Sequence, residues 1–357
     1  MMHYTPTSPT VSVLMMTHDA GKTVRRAVES LQNQTFRNFE LVVVDAGSDD
    51  TTLRLLDALA ERDLRVVVVR ADELGRQEAL SLALDRARGS WVLVMDADGW
   101  AEPSLLTDLV KSAEEHDLDL AVGGFSVSVS SAGPRVSELA ASSEPLIYPT
   151  QQDFRAAAWQ LFASGQLLPA SAKLFSRARI DEWGVRFDPE ALTDHAFVMG
   201  YLREVQRVGV MGGVGYHLSR SSAPALSAGG GSARVRLLEE EHANLLALYH
   251  AWGLDGDVAS MEMLQNRHLE RLVACIEDVC GWGSPLSASE QRHLVSQMIG
   301  TESAQLALSV AHPQGSEARA LLVPLRAHNV ALVCVQARLV SLLRRGSMAR
   351  IVPDAFV

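Results

Sequence analysis

The chain has 357 residues, 47% of them hydrophobic and 21% charged, enough to bury a sizeable core in one large domain with an appendage or in two domains. Its formal charge of -11 excludes a protein whose affinity rests on neutralising nucleic-acid phosphates with a basic surface. An anionic ligand would have to be met by a local cation, a metal or backbone N–H groups. The cysteines Cys275, Cys280 and Cys334 are odd in number and show no CxxC spacing, which argues against a structural zinc site and for a reducing compartment. The segment "MMHYTPTSPTVSVLMM" has no basic residues ahead of its apolar run, and no stretch reaches the roughly 18 to 20 apolar residues of a membrane span, so a cytoplasmic protein is expected.

In chain order, "VSVLMMTHD" (11–19) reads as a short buried strand, and "GKTVRRAVESLQNQ" (21–34) places Val24, Ala27, Val28 and Leu31 at helical spacing. "FELVVVDAGSDD" (39–50), helical "TTLRLLDALAER" (51–62), "RVVVVRA" (65–71), helical "RQEALSLALDRAR" (76–88) and "WVLVMDADGW" (91–100) follow. Continuous Val-rich runs separated by amphipathic helices are what a parallel sheet covered on both faces requires, so the class is α/β with a Rossmann-like winding. From about 117 the pattern loosens: "LDLAVGGFSVSVSSAGPRVSE" reads as a strand flowing into a loop, "SSEPLIYPTQQ" as loop and 153–165 as helix. "SSAPALSAGGGSAR" (221–234) reads as a linker, and 235–253, 259–282, 288–298 and 316–345 as helices. The expected division is a nucleotide-binding domain over 1–225 and a helical region over 226–357.

Ligands of such sheets bind beyond the carboxyl ends of the strands, where loops and helix N-termini converge. Three strands here end in carboxylates: Asp19, Asp45 and the Asp96/Asp98 pair. A single Asp at a strand end commonly caps the next helix or makes a turn. The pair differs, because in an extended segment residues two apart point to one side, and two carboxylates there suit Mg²⁺ or Mn²⁺. Spacing alone leaves the pair open between a turn and a ligand set.

The blocks "VSVLMMTHDAGKTVRRAVESLQNQTFRNFELVVVDAGSDDTT" and "RGSWVLVMDADGWAEPSLL" resemble the amino-terminal half of the family 2 glycosyltransferases, which have the GT-A fold. The likeness continues through "KLFSRARIDEWGVRFDPEALTDHAF", similar to the family's "KLF…FDE…ED" stretch. The resemblance implies a nucleoside-diphosphate sugar donor (UDP, dTDP or GDP), Mn²⁺ or Mg²⁺, and inverting transfer to an acceptor hydroxyl. It places Thr17, Asp19 and Asp45 around the nucleoside, Asp96 on the ribose and metal side, and Asp98 as the direct metal ligand. Asp194, at the Asp of the family's "ED", would be the base that takes the acceptor's proton. The alternative for Asp194 is a cap on the helix "HAFVMGYLREV". His217 falls where relatives carry a Tyr/His-x-x-Arg segment and would complete the metal shell or touch the diphosphate, with Arg220 as a phosphate contact. His195 stands equally as a surface residue or an acceptor contact.

The chain departs from that pattern at "MTHD", at Ala46, at Leu80-Ser81 in place of an Arg-Asn pair, and at Thr193 in place of the Glu of "ED". Two other readings stand beside transfer: a nucleotidyltransferase, whose Gly-rich basic loop is represented here by Lys22 alone, and a degenerate module that binds or scaffolds without turnover. A P-loop is excluded because Met16 holds the place of its first glycine. The apolar segment 323–357, flanked by arginines, reads as intramolecular or dimer packing, with contact at a membrane surface as the alternative.

Overall fold

The computed structural model describes residues 8–130, 136–141, 144–221, 230–282, 284–313 and 315–344. By their internal contacts they form two compact units, one reaching Arg220 and the other beginning at Ser221.

The first unit follows the expected alternation: β1 (Val11–Thr17), α1 (Val24–Gln32), β2 (Phe39–Asp45), α2 (Thr52–Ala60), β3 (Val66–Arg70), α3 (Arg76–Arg86) and β4 (Trp91–Val94). After these come β5 (Gly99–Ala101), α4 (Leu105–Glu115), β6 (Leu120–Val122), β7 (Phe125–Ser130), β8 (Val136–Ala141) and β9 (Leu146–Tyr148). The unit ends with α5 (Gln151–Ala163), β10 (Lys173–Ser176), α6 (Arg177–Glu182), α7 (His195–Glu204), β11 (Val208–Val210) and β12 (Tyr216–Ser221). The main sheet has the order β3-β2-β1-β4-β10-β6-β11-β9, and a smaller one the order β5-β12-β7-β8. Strands β3, β2, β1 and β4 are mutually parallel, whereas β10 and the edge strand β9 run antiparallel to their neighbours. All seven residues of β2 are buried, as a strand covered on both faces must be. Helix α1 buries Val24, Ala27, Val28 and Leu31, the four positions its periodicity selects.

Three expectations shift. Residues 146–148 are a strand, not loop; Pro145 and Pro149 flank it, and three residues are too few to show alternation. The linker expected over 221–234 is shorter, since α8 (Gly230–Ala251) already includes its last glycines; residues 222–229 lie outside the described ones. The long helix expected over 316–345 is two, α12 (Ser316–Arg326) and α13 (Val330–Arg344), once α9 (Val258–Cys280), α10 (Ala288–Ile299) and α11 (Glu302–Val310) are counted. The break falls at 327–329, where His328 adopts φ +51°.

In this second unit α9 carries the core residues Leu269, Leu272, Val273, Ile276 and Val279, against which Leu321, Leu325, Val333 and Ala337 pack. The arginine-flanked segment thus contributes to its own unit's core, while Leu332, Val335, Leu339 and Leu342 remain exposed. No helix among the described residues is long and apolar enough to cross a membrane.

At the amino ends of the strands one polar cluster holds the sheet to its connections. Glu40, 1% exposed, accepts from Ser12 Oγ (2.7 Å), the Arg88 amide (2.7 Å) and the Arg88 guanidinium (2.9 and 2.5 Å). Glu40→Ala strands those donors and is expected to lower stability by about 2 kcal/mol. A urea midpoint reduced with an unchanged m-value would register it.

Candidate active site at the carboxyl ends of the strands

Parallel pairing brings the ends of β1 and β2 level: Thr17 pairs with Asp45, and on the other side of β1 Leu14 pairs with Val94. Thr17 Oγ1 donates to Asp45 Oδ2 at 2.9 Å, and Asp45 also accepts from the Ser48 amide (3.0 Å) and hydroxyl (2.7 Å). Both Thr17 and Asp45 are buried. Asp19, exposed and at φ +48°, receives the Asp49 amide on Oδ1 at 3.0 Å and gives its own amide to Ser48 Oγ at 2.9 Å. Asp50 accepts from the Gly21 amide at 2.9 Å, so the loops after β1 and β2 are laced together by short polar side chains. Sequence reading named Asp19 and Asp45 but not Ser48 and Asp50, which close the same loop.

The Asp96/Asp98 pair is not presented from an extended segment. Strand β4 ends at Val94, and the Gly99 amide donates to the Asp96 carbonyl at 3.0 Å, closing a turn over 96–99. Asp96 is buried: Oδ1 accepts from Arg76 Nη2 at 2.8 Å and Oδ2 from the Tyr216 hydroxyl at 3.2 Å, while the Asp96 amide donates to the same tyrosine oxygen at 2.9 Å. Asp98 is only half-buried. Gly99 is required by Tyr216, because a Cβ at that position would run into the phenol.

Arg76, the first residue of α3, also lies 3.6 Å from Asp194 Oδ2. Asp194 occupies the N-cap position of α7, yet its side chain makes no capping hydrogen bond and stands instead opposite the guanidinium. Burial alone would weaken the charge on Arg76, but Asp96 and Asp194 more than offset this and hold it protonated. Arg76 escapes sequence reading because nothing in "LGRQEAL" marks it out; its partners are 20 and 118 residues away. His195 is 1% exposed and so is not a surface residue.

Lys173 is a second group that the sequence does not flag. It is fully buried, its ammonium donates to the Pro169 carbonyl at 2.5 Å, and burial pushes its pKa down to about 7 against a partial pull upward from Asp194.

His217 already has partners of its own. It pairs with Trp100 across β12 and β5, its ring stacks on the indole at 3.8 Å, and its nitrogens engage Ser126 Oγ (2.8 Å) and Glu102 Oε1 (3.2 Å). With both nitrogens engaged, it could bind a cation only by giving up one of these bonds. Arg220 lies in β12, but its side chain falls outside the described ones. Among the described residues no group of three or more His, Cys, Asp or Glu could hold a metal ion on protein ligands alone. Carboxylate oxygen is nonetheless the donor type that Mg²⁺ and Mn²⁺ prefer, and such ions are commonly held by one or two carboxylates with substrate phosphates completing the shell.

The buried lysine yields a pH dependence of stability. The amine loses its proton above about 7 in the folded chain but only near its ordinary 10.5 when unfolded, so between those values stability rises with pH. Lys173→Met is expected to remove about 2 to 3 kcal/mol of the rise between pH 7 and 9, measured by urea denaturation at both pH values.

Residues 12–168 match the model of Glycosyl transferase family 2. Glycosyltransferase GlyG of Streptococcus pneumoniae serotype 4 is 27% identical over 210 residues, covering 54% of this chain and 66% of GlyG. Glycosyltransferase GlyA of the same organism is 28% identical over 115 residues, 32% of this chain and 16% of GlyA. The chain therefore spans less than two thirds of either relative. Among solved structures, S. aureus TarS 1-349 is similar in fold, with a TM-score of 0.59 at 18% identity over 95% of this chain and 92% of TarS 1-349. Residues 12–168, whose parallel strands end in the Thr17, Asp45 and Asp96 cluster, are thus similar to Glycosyl transferase family 2.

Proposed function

We propose that the chain is an inverting, metal-dependent glycosyltransferase that moves a sugar from a nucleoside-diphosphate sugar to an acceptor hydroxyl. The observation that carries this reading is Asp194: a buried carboxylate at a helix start that leaves the helix uncapped and turns to the cation shared with Asp96. A carboxylate placed that way is suited to general-base work. As the acceptor oxygen bonds to the anomeric carbon, its proton passes to Asp194, the bond from that carbon to the diphosphate oxygen breaks, and the nucleoside diphosphate leaves. One displacement at one face inverts the configuration.

In this reading Thr17 and Asp45 brace the loop on which the nucleoside rests, with Asp19 beside it. Asp98 would hold Mn²⁺ or Mg²⁺, with Asp96 toward the ribose and Arg220 toward the phosphates. The cation, when bound, supplies Lewis-acid stabilisation of the departing diphosphate. A UDP-sugar is the first donor to try, since a TarS structure of the same fold (TM-score 0.57) was solved in complex with UDP-GlcNAc.

The test is release of nucleoside diphosphate from a panel of UDP-, GDP- and dTDP-sugars with Mn²⁺, with and without EDTA. Turnover that EDTA abolishes is expected. Asp194→Asn should lower kcat by about 10² to 10⁴ while nucleotide binding, followed by calorimetry, persists. A wild-type chain that neither turns over nor binds any of these nucleotides with Mn²⁺ overturns the reading.

A further inference from the structure

Asp96 and Asp194 come from distant parts of the chain, and their side chains are only 6% and 11% exposed. Carboxylates placed in one pocket repel each other, and each is costly to desolvate without a counter-charge. Arg76 answers both, with Nη2 2.8 Å from Asp96 Oδ1 and 3.6 Å from Asp194 Oδ2. The other cation that acts on Asp194, Lys173, is wholly buried and directs its ammonium to the Pro169 carbonyl. Arg76 is fixed where its helix begins, since the preceding Gly75 amide donates to Glu78 Oε2 at 2.8 Å. One turn further on the helix holds Leu80, which is buried in the core, so α3 presents one guanidinium to this pocket.

We infer that Arg76 is a positioning residue: it draws the Asp194 carboxylate away from its own helix terminus and sets it toward Asp96, where the acceptor hydroxyl must meet the sugar. The inference rests on the transfer reading above. A guanidinium presents several N–H groups in a fixed plane and can serve two acceptors at once, whereas a lysine ammonium is a point charge on a mobile stem.

The experiment uses the full chain as wild type, Arg76→Ala, Arg76→Lys and Asp194→Asn, assayed for donor turnover with Mn²⁺ alongside thermal melting and UDP binding. For folded Arg76→Ala, kcat should fall about 100-fold with donor KM and UDP affinity within about threefold of wild type. Guanidinium chloride at about 30 mM, far below denaturing concentrations, should restore its kcat about tenfold, and NaCl at the same concentration should not. Arg76→Lys should retain more activity than Arg76→Ala, and Asp194→Asn should gain nothing from guanidinium. The inference is overturned if Arg76→Ala keeps kcat within about threefold, or if its lost activity responds no better to guanidinium than to NaCl. Should Arg76→Ala not fold, Arg76→Gln takes its place, and failure of both to fold overturns the inference in favour of a purely architectural ion pair. A wild type inert toward every donor brings down the transfer reading itself, and this inference with it; an active wild type isolates the claim about Arg76.

Discussion

Parallel pairing of β1 with β2 and with β4 is the constraint on which the site depends. Because the strands run in one direction, their carboxyl ends reach the same edge, and the peptide that follows each must turn there with its polar groups satisfied. Thr17, Asp45 and Ser48 meet that demand between β1 and β2, and Tyr216 meets it for the Asp96 amide. The polar residues at this edge are first of all the means by which the loops close. Their availability to a ligand follows from which oxygens those closures leave over.

Charge at that edge is organised by burial. Asp45 is stabilised by neutral donors, Asp96 by an arginine and a tyrosine, and Asp194 by the same arginine at longer range. Lys173, wholly buried, holds its proton weakly. The opposite edge has a different logic: Glu40 accepts from Ser12 and Arg88, Ser12 accepts from the Gly89 amide, and the cluster serves the fold.

The second unit is built on other terms. Its helices surround α9, and among the polar groups it buries Arg267 and Arg271 pair with Glu241 at 2.8 and 3.2 Å. The pKa of His268, whose ring lies tilted against that of His242, is pushed down to about 3, chiefly by burial, so the ring stays neutral at ordinary pH. Breaks such as the one between α12 and α13 left no mark in a hydrophobic pattern that runs on through them, because apolar spacing is insensitive to one residue with positive φ.

The sequence by itself determined the α/β alternation through β4, the helix faces, and the placement of Asp19, Asp45 and Asp96 at strand ends, because each follows from local periodicity. It also supplied the ordered motifs by which residues 12–168 resemble family 2 glycosyltransferases. Only the tertiary structure decided that Asp96 and Asp98 lie in a turn, that His217 is committed to Trp100, Ser126 and Glu102, and that Asp194 turns from its helix toward Arg76. Those outcomes depend on side chains many residues apart competing for the same few donors, and that competition is settled only when the sheet brings them into reach.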